Sequence, residues 1–191
     1  MKDEKFYPPP SISSSLNQTS KERSVNGSRE YVDYIAESHL RIWYNTQTEG
    51  YSNHYHNAME IVVPDQLPDD AVLEPGDILI IPPYMLHELY SKPSGARFIY
   101  LIDTDMLHCF QDYKALNPAF IEPYLCTAAL RPEIYQMIYD SLMRMADIYF
   151  SHQVFWEISI YSVLLDLFAT IGANHYLQNA DESVENTADK Q

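Results

Sequence analysis

The chain changes its hydrophobic period once, and that switch limits it to a sheet-forming half followed by a helical half. From His39 to about Asp103 the apolar residues come in short runs rich in β-branched and aromatic side chains. The runs are His39 to Tyr44, Met59 to Val63, Asp77 to Pro82, Leu86 to Tyr90 and Arg97 to Ile102, with Gly/Pro/Asp/Asn clusters between them. This is strand patterning at barrel or sandwich spacing. From about Arg131 the period becomes helical: Ile134, Ile138, Leu142, Met145 and Tyr149 fall on one stripe, and Pro132-Glu133 suits a first helical turn. A second helix is expected from about Val154 to Tyr176, carrying Phe155, Ile158, Tyr161, Leu165, Phe168 and Ile171, with Val163, Leu164 and Leu167 widening its apolar face. That face is broader than one packing contact requires. Ile158, Tyr161, Leu165 and Phe168 are therefore expected at a homodimer interface, the other reading being a helix buried wholly within one subunit.

Charge narrows the partners. Twelve Lys and Arg against 27 Asp and Glu leave a formal net charge of -15, the opposite of what phosphate contacts need, so direct nucleic-acid binding is not expected. The same balance disfavours an anionic membrane surface. No apolar run is read as reaching the roughly 18 residues of a membrane span, and Met1 to Pro10 is charged and proline-rich, unlike a signal peptide. Cys109 and Cys126 lie in no metal-binding spacing, and with these features they give a cytoplasmic expectation. The 16 tyrosines fit either a polar-edged aromatic pocket or ordinary packing on a sheet.

The segment His54-Tyr55-His56-Asn57-Ala58-Met59-Glu60 concentrates the chemistry. Side chains alternate along a strand, so residues 54, 56 and 60 share parity and point to one side if the segment stays extended. Downstream, Pro75-Gly76-Asp77 marks a tight turn, Ile78 to Ile81 a buried strand, and His87 opens the next strand. Three imidazoles and one carboxylate suit Zn, Fe, Mn or Ni with positions left open, or a metal-free polar lining. Arg41 and Arg97 lie on expected strands, where they either clamp an anionic effector or face solvent as ladder partners.

These residues resemble the two cupin motifs, His-x-His-x3-Glu and Gly-x5-Pro-x4-His, matched by His54, His56 and Glu60 and then by Gly76, Pro82 and His87. The resemblance implies a mainly β fold, a cupin (double-stranded β-helix or jelly-roll) barrel, in which those three histidines and Glu60 are the ligands of a metal. With the following helices, residues 30 to 177 are similar to the N-terminal effector-binding and dimerisation domain of AraC-type transcription regulators. Residues 61–75 form a shorter connection than such sensors commonly have, with Asp65 to Asp70 as a shortcut expected to open one wall of the barrel. Tyr84 stands where the second motif usually has glycine, and Ser91 where it often has asparagine.

The expected division is a disordered arm over residues 1–28, a cupin barrel over 29–105, an antiparallel helix pair for dimerisation within 106–177 and an acidic tail over 178–191. The leading expectation is a small-molecule sensor, its effector a sugar or small aromatic acid, which reaches DNA only through a helix-turn-helix domain absent from these 191 residues. It is not expected to be an enzyme. The runner-up is a free-standing metal-dependent cupin enzyme of dioxygenase or isomerase type, for which the quartet is the sole support.

Overall fold

In a computed structural model of the chain, the described residues are 24–35, 38–45, 51–66, 73–89, 96–152 and 154–188. All five strand runs legible in the sequence form strands: β3 (Leu40–Asn45), β5 (Met59–Gln66), β6 (Ile78–Ile81), β7 (His87–Leu89) and β8 (Ala96–Ile102). Four more accompany them, β1 (Ser24–Asn26), β2 (Arg29–Tyr31), β4 (Tyr51–His54) and β9 (Tyr124–Cys126). The helices are α1 (Gln111–Ala115), α2 (Tyr135–Ser151) and α3 (Trp156–Ala188). Among the described residues about 40% are helical and 30% strand, so the fold is mixed rather than mainly β.

Five strands form an antiparallel sheet in the order β3-β8-β5-β6-β9, while β4-β7 and β1-β2 are separate two-stranded pairs. The sheets are open among the described residues, and no closed barrel is formed. Strand alternation gives the main sheet two different faces. One face carries Leu40, Ile42, Ile61, Ile80, Phe98 and Tyr100, all buried, in a core shared with Ile138, Leu142 and Met145 of α2 and Leu164, Leu167 and Ile171 of α3. The Tyr100 hydroxyl donates to the Leu142 carbonyl at 2.9 Å, tying sheet to helix. The other face holds a smaller core of Ala58, Val62, Ile81, Ile99 and Leu101, edged by Tyr34, Trp43 and Met85. Because β8 is covered on both sides, all seven of its residues are buried.

Several expected boundaries move. Residues 24–28 lie in the β1-β2 hairpin rather than in the arm, whose remainder, 1–23, falls outside the described residues, as do 67–72 of the shortened connection and Ser91. Past residue 105 the chain does not turn directly to a helix pair: β9 returns to the sheet beside β6. The expected tail from 178 is helical through Ala188, because α3 continues. The α2 stripe packs as its spacing predicts, with Ile134, Ile138, Leu142, Met145 and Tyr149 all buried.

The stripe on α3 is rotated. Ile160, Val163, Leu164, Leu167, Phe168 and Ile171 face inward, whereas Phe155, Ile158 and Leu165 are exposed. Phe168 is 2% exposed and packs edge-on against Tyr113 and Phe120, and the Tyr161 hydroxyl donates to the Ser38 carbonyl at 2.8 Å. Of the four expected interface residues, Phe168 is thus committed to its own core and Tyr161 to its own chain. Ile158 and Leu165 remain on the surface. The segment Trp156–Leu177 is 22 residues long with mean hydropathy 1.3, long and apolar enough to cross a membrane by length and composition, contrary to the expectation that no run reaches that length. About a third of its apolar window is buried within the fold.

Candidate metal centre

The small sheet and the face of the main sheet that carries Val62, Ile99 and Leu101, its inner face, bring the predicted quartet together. His54 and His87 are cross-strand partners in β4-β7, and Glu60 sits on β5 between Ile81 and Leu101. His56 lies just beyond β4, where a bend at 57–58 carries the chain from the small sheet to the main one. The residues therefore meet at a corner between sheets, not along one extended strand. One ligand atom from each of His54, His56, Glu60 and His87 lies within 4.8 Å of all the others. His54, His56 and Glu60 are buried and His87 nearly so.

Backbone carbonyls set the chemistry of the three imidazoles. His54 Nδ1 lies 2.8 Å from the Ser52 carbonyl, His56 Nδ1 3.0 Å from that of Ala58, and His87 Nδ1 2.8 Å from that of Met85. A carbonyl oxygen only accepts, so each Nδ1 carries the proton and each neutral ring presents a bare Nε2. Those nitrogens meet carboxylate oxygen: His56 Nε2 and His87 Nε2 are 2.9 and 3.2 Å from Glu60 Oε2. Lone pairs facing lone pairs at these distances are stable only with a proton or a cation between them.

Protonation supplies one solution, and it perturbs both partners. Burial alone would raise the Glu60 carboxyl, but hydrogen bonds and charge from His56 and His87 bring its pKa down from 4.5 to about 2. For His87 burial opposes the charged form, yet the Glu60 hydrogen bond and charge outweigh it and the pKa rises. A divalent cation supplies the other solution. With metal–nitrogen bonds of about 2.0–2.1 Å, neighbouring donors stand about 2.9 Å apart in octahedral and about 3.3 Å in tetrahedral geometry. The observed 2.9 and 3.2 Å fit those edges. Carbonyl-anchored Nδ1 protons are also the usual outer support of metal-binding histidines.

Both arginines lie on the inner face and are buried, so neither is a solvent-facing ladder partner. Register places Arg41 in the row Arg41–Leu101–Glu60, two strands from the carboxylate and so about 10 Å away across the sheet. Its guanidinium donates to the Asp33 carbonyl at 2.7 Å and stacks 4.2 Å from the Trp43 ring. Arg97 shares a row with Asn45 and Pro64, further along the same face.

Sequence reasoning missed three contributors. Glu30, buried on β2, places Oε2 3.4 Å from His54 Nε2. The Tyr34 hydroxyl and Trp43 Nε1, at the edge of the inner core, are buried with no hydrogen-bond partner among the described residues. Burial pushes the Tyr34 phenol well above its usual value, with Asp103 and Asp105 adding to the shift. A glutamate in a short polar stretch and a tyrosine in a loop carry no spacing signal. Trp43 lay on an expected strand, but its register against Ile99 could not be read from local pattern.

Two other cavities lie away from the quartet. One of about 630 Å³ lies beside Gly76 and Tyr135, and one of about 710 Å³ between α1 and α3 is lined by Tyr113, Leu116, Leu165 and Phe168. No protein-family model matches the chain, and no curated protein matches it either.

Proposed function

We propose that the chain is a metal-holding, cupin-like ligand-binding module, and that it serves as the sensing and dimerisation unit of an AraC-type transcription regulator. The observation that carries the binding role is the convergence of three imidazoles and a buried carboxylate, one ligand atom of each within 4.8 Å of all the others. His54, His56, Glu60 and His87 would hold a divalent cation such as zinc, iron, manganese or nickel, which when bound supplies Lewis acidity and open positions for an oxygen ligand. Tyr34, Trp43 and the buried Arg41 and Arg97 on the same side supply polar and cationic groups for a small carboxylate, an aromatic acid among them, or a sugar.

The sensor reading draws support from the order of sheet and helix pair and from Ile158 and Leu165 exposed on a long helix. A homodimer through that helix, a cytoplasmic location and access to DNA only through a separate domain complete the proposal. Effector binding must favour one of two states to be read out. The test is calorimetry of cobalt-loaded protein against benzoate and arabinose, with sedimentation before and after. Binding of either probe that disappears in His56→Ala and shifts the sedimentation coefficient supports the sensor; binding of neither, with a monomer at high concentration, sinks it. A second reading, a metal-dependent enzyme, is favoured by the completeness of the three-nitrogen, one-oxygen donor set, and turnover of a bound probe by the loaded protein would select it.

A further inference from the structure

The N-terminal hairpin has one residue that is out of character with the rest. β1 is exposed throughout, and in β2 Arg29 and Tyr31 are exposed while Glu30 is 6% exposed. A carboxylate is rarely buried without a cation or strong donors to receive it. Glu30 Oε2 points at His54 Nε2 from 3.4 Å, and that nitrogen is the one left bare by the Ser52 carbonyl. The contact is of the same kind as those of Glu60 with His56 and His87 but longer, just beyond the spacing of two neighbouring tetrahedral donors.

We propose that Glu30 is a second carboxylate donor to the divalent cation of the quartet, so that cation binding clamps the N-terminal hairpin over the centre. This rests on the metal-centre reading given above. Charge favours it: three neutral imidazoles and the Glu60 carboxylate leave a divalent ion with one uncompensated positive charge in a buried site, and Glu30 cancels it. Hairpin energetics point the same way. β1 and β2 share three residue pairs, and the hairpin joins the small sheet through the Glu30 amide to the Tyr55 carbonyl at 2.9 Å and the Tyr55 amide to the Ser28 carbonyl at 2.8 Å. A two-stranded hairpin is marginal in water on its own, so a metal–carboxylate bond would add to what keeps it docked. The hairpin thereby reports occupancy of the centre to whatever precedes it in the chain.

Cobalt(II) is the probe, because its visible bands report the donor set. The wild type and Glu30→Gln are titrated with cobalt, and amide hydrogen exchange is followed at Glu30 and Tyr55 with and without the ion. The expected result is altered cobalt bands in the variant and affinity lower by about tenfold or more. Cobalt should also slow exchange at both amides by about tenfold in the wild type and leave the variant unchanged. Superimposable bands, or equal slowing in both proteins, overturn the assignment of Glu30 while leaving the quartet standing. No cobalt uptake by the wild type removes the metal reading itself and Glu30's role with it. The exchange comparison on wild-type protein needs no variant: bound cobalt without slowing at Glu30 and Tyr55 also overturns the clamp.

Discussion

Replacing Glu60 by glutamine in metal-free protein isolates the electrostatics of the cluster. The fully buried carboxylate is held at a pKa of about 2 instead of 4.5. That difference corresponds to about 3 kcal/mol favouring the ionised form in the folded state. A depressed carboxyl contributes stability above its unfolded value, about 4.5, and loses it as pH falls through about 2. His87 is raised, so its share is complete below the unfolded value of about 6.5 and is lost as pH rises through its folded value. Metal-free wild type is therefore most stable between about pH 5 and 6, and it weakens on the alkaline side as the His87 imidazolium proton leaves and its bare Nε2 confronts Glu60. Glutamine carries no charge, and its amide N–H can donate to a bare nitrogen, so Glu60→Gln has a flatter profile. The assay is urea unfolding in EDTA at about pH 5.5 and about pH 8.5; because the raised His87 loses its share as pH rises, the wild type should lose more stability than the variant across that interval. Parallel profiles would refute the coupling between Glu60 and the histidines.

Further outcomes follow from single side chains. Tyr84 is exposed with φ of 64°, a left-handed conformation that strains a bulky residue, so Tyr84→Gly should raise the melting temperature by about 2–4 °C without changing cobalt affinity. Ile158→Asp and Leu165→Asp should abolish a dimer seen by sedimentation while leaving circular dichroism intact. Phe168→Asp, which puts a charge among Tyr113 and Phe120, should unfold the monomer at a cost of at least about 4 kcal/mol. Tyr100→Phe removes the hydroxyl that donates to the Leu142 carbonyl and should cost about 1–2 kcal/mol in chemical denaturation.

The legible parts of the molecule are those set by local pattern. β-branched runs bounded by turn residues found β3, β5, β6, β7 and β8, and the Ile134 to Tyr149 stripe found α2, because burial on one face imposes the period directly. The quartet was readable from spacing, although its physical route differs. Parity along one strand does not join residues 54 and 60; a bend at 57–58 passes the chain between two sheets, and the same side chains meet at the corner between them. What stayed hidden depends on distant partners. β9 is three residues whose strand state comes from pairing with β6, and Glu30 is an ordinary surface glutamate until the hairpin turns it toward His54. On α3 the apolar residues run nearly all the way round, so their period could not say that Phe168 faces inward and Leu165 outward. Tyr84 shows the reverse case: the position where the motif usually has glycine has the positive φ that favours it.

Elemental analysis of protein purified without chelator or nickel resin bears most directly on the convergent site. One zinc, iron, manganese or nickel ion per chain is the expected result, lost in His56→Ala and in His87→Ala while both variants stay folded. Protein that emerges metal-free and takes up none of these ions on incubation would contradict a centre built from His54, His56, Glu60 and His87.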